Sequence, residues 1–124
     1  MSMQGSIGAA RVSGPTRQQD GLVVFEFLFG VDDPTFAGHF PTRPLLPGVF
    51  LLEITRAAAQ WTLADSLVVR EICKAKFLRP ILPTEMLRLE MKLSEVDGAL
   101  KVRALFSVDG TRAGDVLLLL ARTP

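Results

Sequence analysis

Gly48-Val49-Phe50-Leu51-Leu52-Glu53-Ile54-Thr55-Arg56-Ala57-Ala58-Ala59-Gln60-Trp61 decides the fold. Wound as a helix, this stretch is apolar on nearly every side, and a helix without a polar half is buried rather than laid on a surface. Pro47 precedes it. Proline suits the first helical position, because its φ is already helical and its missing N–H is not needed there. The pattern predicts a helix from Pro47 to about Asp65. Its polar exceptions are informative: Glu53, Arg56 and Gln60 fall at i, i+3 and i+7, on one face with Val49 a turn earlier.

Outward from the helix the chain reads as strands. Before it, Val23, Phe25, Phe27 and Phe29 alternate along residues 22–29, with Glu26 on the opposite face. After it, Leu67 to Arg79 predicts a strand broken by Pro80 to Pro83. Leu87, Leu89, Met91 and Leu93 alternate with Arg88, Glu90 and Lys92, and Leu100 to Val108 repeats the period. Arg112 to Ala121 closes the set. Asp97-Gly98 and Asp109-Gly110 are hairpin turns by composition, since both dipeptides accept positive φ. Residues 1–20 are weakly patterned: Ile7 to Val12 predicts one strand, while Ser13-Gly14-Pro15 and Gln18 to Gly21 read as turn and loop. One buried helix and five or six antiparallel strands make an α+β chain. Only a sheet that wraps the helix covers its apolar perimeter, which is the hotdog fold. Residues 1–124 are expected to form a single domain.

Composition narrows the function classes. Hydrophobic residues make up 48% of the 124, enough to build a core. Net charge is +1, from 14 basic and 13 acidic residues, which gives no electrostatic footprint for nucleic acid. No apolar run reaches membrane-spanning length. Met1-Ser2-Met3-Gln4-Gly5 does not read as a secretory signal. Cys73 is the one cysteine and has no intrachain partner, which fits a reducing compartment. The expectation is a soluble, cytoplasmic protein without a nucleic-acid or membrane partner.

Gly30 to Pro47 is a loop containing Pro34, Gly38, Pro41 and Pro44, stiffened because proline fixes its own φ and restricts the residue before it. It carries His39, the chain's one histidine, a side chain that can take and return protons near neutral pH. A lone histidine is ordinarily a packing or surface residue, but His39 stands just before the helix. Glu53 follows 53 − 39 = 14 residues later. A carboxylate in so apolar a helix is costly unless paired. It pairs with Arg56 at i+3, or it faces a cavity and handles protons or water. Gly48 sits in the first turn, where backbone N–H groups lack intrahelical partners and favour a developing negative charge. The alternative for Gly48 is that it simply permits close packing.

The stretch Gly38-His39-Phe40-Pro41-Thr42-Arg43-Pro44-Leu45-Leu46-Pro47-Gly48-Val49-Phe50-Leu51-Leu52-Glu53 resembles the 3-hydroxyacyl-[acyl-carrier-protein] dehydratases of the FabA/FabZ type. Lys74-Ala75-Lys76-Phe77-Leu78-Arg79-Pro80-Ile81-Leu82-Pro83 is a weaker second match, and together the resemblance covers most of residues 22–121. It implies His39 as the base that removes the α-proton and Glu53 as the acid that helps the 3-hydroxyl leave as water. It implies Gly48 as backbone donor to the thioester carbonyl, with Val49 and Phe40 beside the substrate. It implies an acyl carrier protein (or acyl-CoA) bearing a 3-hydroxyacyl chain as partner, and no metal or other cofactor. It also implies a homodimer, or a higher assembly of dimers, whose sites draw histidine and acid from two chains.

Three features depart from the family. Ala57 stands where glutamine is usual, Arg56 adds a charge, and the N-terminal proline-rich segment is not recognisable. These departures resemble the shorter dehydratase-like proteins of aryl-polyene and other secondary lipid pathways. Two alternatives stay open: a hotdog acyl thioesterase, and a non-catalytic subunit that binds acyl carrier protein or supports an active partner. If Glu53 is to present a proton, Arg56 is expected to point away from it, and with Arg43 and Arg79 to meet an acidic carrier.

Overall fold

The computed structural model describes residues 3–33 and 45–124. Its elements run α1 (Met3–Ala10), β1 (Arg11–Arg17), β2 (Val23–Leu28), α2 (Val49–Leu63), β3 (Leu67–Phe77), β4 (Met86–Val96), β5 (Ala99–Val108) and β6 (Thr111–Arg122). The strands form one sheet in the order β1-β2-β4-β5-β6-β3, and every pairing is antiparallel. β1 and β3 are its two edges.

The sheet wraps α2, the hotdog arrangement expected from the sequence. Phe50, Leu51, Ile54, Thr55, Ala57, Ala58 and Ala59 are buried along α2. They meet the inward residues of the sheet, among them Phe25, Phe27, Leu89, Val102, Phe106, Val116 and Leu118. Three successive alanines let the helix approach the sheet closely, and Thr55 Oγ1 satisfies itself on the Leu51 carbonyl at 2.7 Å. Complete burial of Ile54 contributes about 1.5–3 kcal/mol. Trp61, partly buried, stacks beside Phe25 and Phe27, at ring-centroid distances of 5.9 and 6.4 Å, under the Arg11 guanidinium at 4.2 Å.

Both Asp-Gly pairs are tight hairpin turns. Asp97 and Gly98 have φ of 50° and 79°, Asp109 and Gly110 have 50° and 78°, and they join strands paired up to Val96↔Ala99 and Val108↔Thr111.

Of the N-terminal expectations, the loop over Gln18 to Gly21 is present, while the strand from Ile7 and the turn at Ser13-Gly14-Pro15 are overturned. Residues 3–10 are helical, with Ser6, Ile7 and Ala10 buried at helical spacing, and the strand begins at Arg11. Ser13-Gly14-Pro15 lies inside β1 rather than in a turn. An edge strand tolerates proline and glycine because one side of its ladder is free, and the β1–β2 register shifts on both sides of Ser13. Gly14 has φ +111°, and a Cβ there would lie 2.6 Å from the Phe25 ring. Only glycine lets β1 cross the large aromatic of β2.

Candidate functional site

The helix start is built from backbone. Phe50 N–H donates to the Pro47 carbonyl and Leu51 N–H to the Gly48 carbonyl, each at 2.9 Å. Gly48, at φ −56° and ψ −33°, is the N-cap. Its hydrogen faces the Phe77 ring so closely that a Cβ would come within 2.9 Å of two ring carbons. Close packing, the plainer of the two roles read for Gly48, is therefore present. Val49, beside it, is 52% exposed.

Two hydrogen bonds frame the loop before the helix. Thr84 N–H donates to the Phe29 carbonyl at 2.8 Å, and Leu46 N–H donates to the Ile81 carbonyl at 2.8 Å. Both ends of the loop are thus fastened to the same Ile81–Thr84 turn. The two sequence stretches that carry the resemblance meet there. His39 and Phe40 themselves, like Arg43, lie outside the described residues.

Glu53 and Arg56 are brought together, against the expectation that Arg56 would turn away. Arg56 Nε donates to Glu53 Oε1 at 2.9 Å and to Oε2 at 3.1 Å, and Nη2 donates to Oε1 as well. Nη1 donates to Gln60 Oε1 at 2.8 Å and to the Leu67 carbonyl at 3.1 Å, while Leu67 N–H donates to the same Gln60 oxygen at 3.0 Å. The physical reason is burial. The Glu53 and Arg56 side chains are only 20% and 12% exposed, and charges so far from water take the nearest opposite charge. The i, i+3 spacing named this partner, and the requirement for a free carboxylate misled the choice. Gln60 and Leu67 extend the pair into a network that joins the polar face of α2 to the first residue of β3. Glu53 lines a depression of about 540 Å³ with Gln4, Ser66, Val68 and Val69, against the open edge of the sheet.

Arg79 is also occupied: its Nη2 lies 2.9 and 2.7 Å from the two Glu85 oxygens, and Leu82 N–H binds the same carboxylate at 2.7 Å. It braces the turn after β3 instead of standing free for a carrier. Phe77 is the residue that periodicity did not single out. Its signal was its place at the end of a strand just before the proline-bounded turn.

Residues 15–114 match the ApeI-like family, described as ApeI dehydratase. The chain belongs to the ApeI-like dehydratase family. FabZ of Pasteurella multocida, a 3-hydroxyacyl-[acyl-carrier-protein] dehydratase, is 35% identical over 104 residues, 76% of this chain and 68% of that protein. FabZ of Bordetella petrii is 31% identical over 105 residues, 73% of this chain and 70% of that protein. Among solved structures, the dehydratase heterocomplex ApeI:P from Xenorhabdus doucetiae superimposes with a TM-score of 0.73 at 27% identity, over 90% of this chain and 96% of that one. A hypothetical thioesterase with coenzyme A from Streptococcus pneumoniae reaches a TM-score of 0.71 at 10% identity, covering 98% and 94%, and shares the fold alone. No helix among the described residues of this ApeI-like chain is long and apolar enough to cross a membrane.

Proposed function

We propose that this ApeI-like chain dehydrates a 3-hydroxyacyl thioester, carried on acyl carrier protein, to the trans-2-enoyl thioester. The observation that carries the reading is the extent of the family match: residues 15–114 include His39, the Gly48 helix start and Glu53 in one unbroken stretch. His39 takes the proton from C2, the C3–O bond breaks, the hydroxyl leaves as water and the C2–C3 double bond forms. Negative charge that gathers on the thioester oxygen is met by the Gly48 N–H at the helix start. One such donor is worth about 3 kcal/mol. Glu53 is the acid that gives the leaving hydroxyl the proton that makes it water, and the proton taken by His39 afterwards passes on to restore it. No cofactor is needed for this chemistry.

We further propose that two copies pair along β3. Among the described residues no strand pairs with its outer side, and Val68, Val69, Ile72 and Phe77 are exposed on it. An unpaired apolar edge invites another strand. The depression holding Glu53 is lined by Val68 and Val69, so a chain paired there would lie over the carboxylate.

One observation favours a second reading. A carboxylate held by the Nε and Nη2 donors of Arg56, Nε reaching both oxygens, is what a non-catalytic subunit, retained to bind the carrier or support an active partner, has no reason to release. Incubation with a 3-hydroxyacyl thioester separates the readings. Enoyl absorbance supports the dehydratase. Free thiol would make the chain a thioesterase, and no change would favour the supporting subunit.

A further inference from the structure

We infer that the outer face of the sheet, the side turned away from α2, docks reversibly on an anionic lipid surface. Strand register sets the residues of that face. Val116, Leu118 and Leu120 of β6 are buried in the core, so Asp115, Leu117 and Leu119 between them turn outward. The residues opposite them in the ladder turn outward as well. One row runs Lys92, Arg103, Leu117 and Lys74 across β4, β5, β6 and β3. Its two flanking rows are Ser94, Lys101, Leu119 and Glu71 on one side, and Glu90, Leu105, Asp115 and Lys76 on the other.

The charges on these rows do not cancel. Asp115 is taken by Lys74 at 2.8 Å and lies 3.7 Å from Arg103, while Glu90 lies 3.8 Å from Arg88. Glu71 is the remaining carboxylate of the rows. Lys76, Lys92 and Lys101 are exposed, and none has an ion pair among the described residues. Lys92 and Arg103 stand directly opposite each other, and like charges so placed destabilise a sheet. An anion brought from outside relieves that repulsion. The net charge of +1 hides the array because it averages over the whole chain. The expectation of no membrane partner rested on spanning length, which does not bear on contact with a surface.

The make-up of the face favours lipid over another macromolecule. Apart from Arg103, its unbalanced cations are lysines, a residue depleted from protein interfaces where arginine is enriched. Their flexible stems let ammonium groups at different heights on a curved sheet reach one plane. Half-buried Leu105, Leu117 and Leu119 lie between them, and the rows hold no aromatic ring on which a base could stack. The array ends at a neighbouring hollow, where Glu26, Glu90 and Asp109 balance Arg88 and Arg112.

Co-sedimentation with vesicles at low ionic strength tests this. Vesicles of equal parts phosphatidylcholine and phosphatidylglycerol are expected to pellet the protein, and pure phosphatidylcholine to leave it in solution. Each cation near such a surface strengthens binding by about fivefold, so Lys101→Gln is expected to weaken it by about that factor. Lys76→Gln, Lys92→Gln and Lys101→Gln together are expected to weaken it by about a hundredfold. Arg17 instead donates to the Thr62 carbonyl at the end of α2, and Arg17→Gln is expected to stay within about twofold of the parent. Salt at about 1 M, where the screening length falls to about 3 Å, is expected to release the parent. Thermal unfolding shows which variants fold, and should the triple variant fail to, Lys101→Gln against Arg17→Gln decides. The proposal is overturned by a parent that does not bind the mixed vesicles, that binds pure phosphatidylcholine as well, or that stays bound without the three lysines. A parent captured by apo acyl carrier protein or by duplex DNA but not by anionic vesicles also overturns it, and gives the face to a protein or nucleic-acid partner.

Discussion

A methyl group at Gly48 would sit 2.9 Å from two carbons of the Phe77 ring, a distance at which something must move. Phe77 is half exposed, so its ring can swing outward, and Gly48→Ala is expected to cost only about 1–2 kcal/mol from overpacking. The displaced ring would alter the helix start, where the proposed mechanism puts the thioester. A larger relative loss in kcat/KM than in thermal stability is the expected outcome. Equal and small losses would leave Gly48 with packing alone. At this scale the sequence was legible where chemistry and spacing agreed. Glu53 stood out because carboxylates rarely enter apolar helices, and its i+3 partner was in plain view. What misled was a functional demand placed ahead of electrostatics: a buried guanidinium seeks a carboxylate before it seeks water. Gln60 was placed on the correct face, but its bond to Leu67 spans a turn and a change of element, which periodicity does not encode.

The strands whose hydrophobic period runs uninterrupted between Asp-Gly turns were readable, because alternation and turn chemistry specify the same register. Leu87 to Leu93 against Val102 to Val108 is the clearest case. α1 and β1 were not readable, since the short run from Ile7 to Val12 holds too few large apolar residues to fix a period and Gly14-Pro15 carries turn composition inside an edge strand. Between β3 and β6, Asp115 is a buried carboxylate that Lys74 binds at 2.8 Å. The Lys74 hydrogen bond holds this carboxyl below its usual range, burial opposes that, and the charges of Lys74, Arg103 and Arg112 add to it. A carboxyl depressed in the folded state stabilises above its unfolded value, about pH 4, and that contribution is lost as pH falls through the folded value. Asp115→Asn is therefore expected to cost about 1 kcal/mol at pH 7, a figure reduced because Lys74 is partly exposed, and progressively less in acid. Urea unfolding at pH 7 and pH 3 checks this. A difference between parent and variant that does not shrink in acid would contradict it.

The molecule as a whole presents an edge strand that a soluble monomer would normally shield. Ile72 is 52% exposed in the middle of β3. If two chains pair there, Ile72→Lys is expected to yield a folded monomer by sedimentation while the parent sediments as a dimer. A parent that remains monomeric at micromolar concentration would set the pairing aside. A parent that dimerises only with a different chain would replace it by a mixed pair, as in the ApeI:P heterocomplex. The architecture was legible at this scale because one apolar helix leaves a sheet little choice but to enclose it. The proposed pairing is not written in any hydrophobic period. Its motive is the place of β3 at the sheet's edge rather than in its middle. Dehydration with His39 as the base is tested by following enoyl absorbance from a 3-hydroxyacyl thioester on acyl carrier protein. Parent protein and His39→Ala are compared side by side. Enoyl product is expected from the parent, with a loss of about 10²–10⁴ in rate for a variant that unfolds at the same temperature. A folded His39→Ala protein that dehydrates at the parental rate would contradict it.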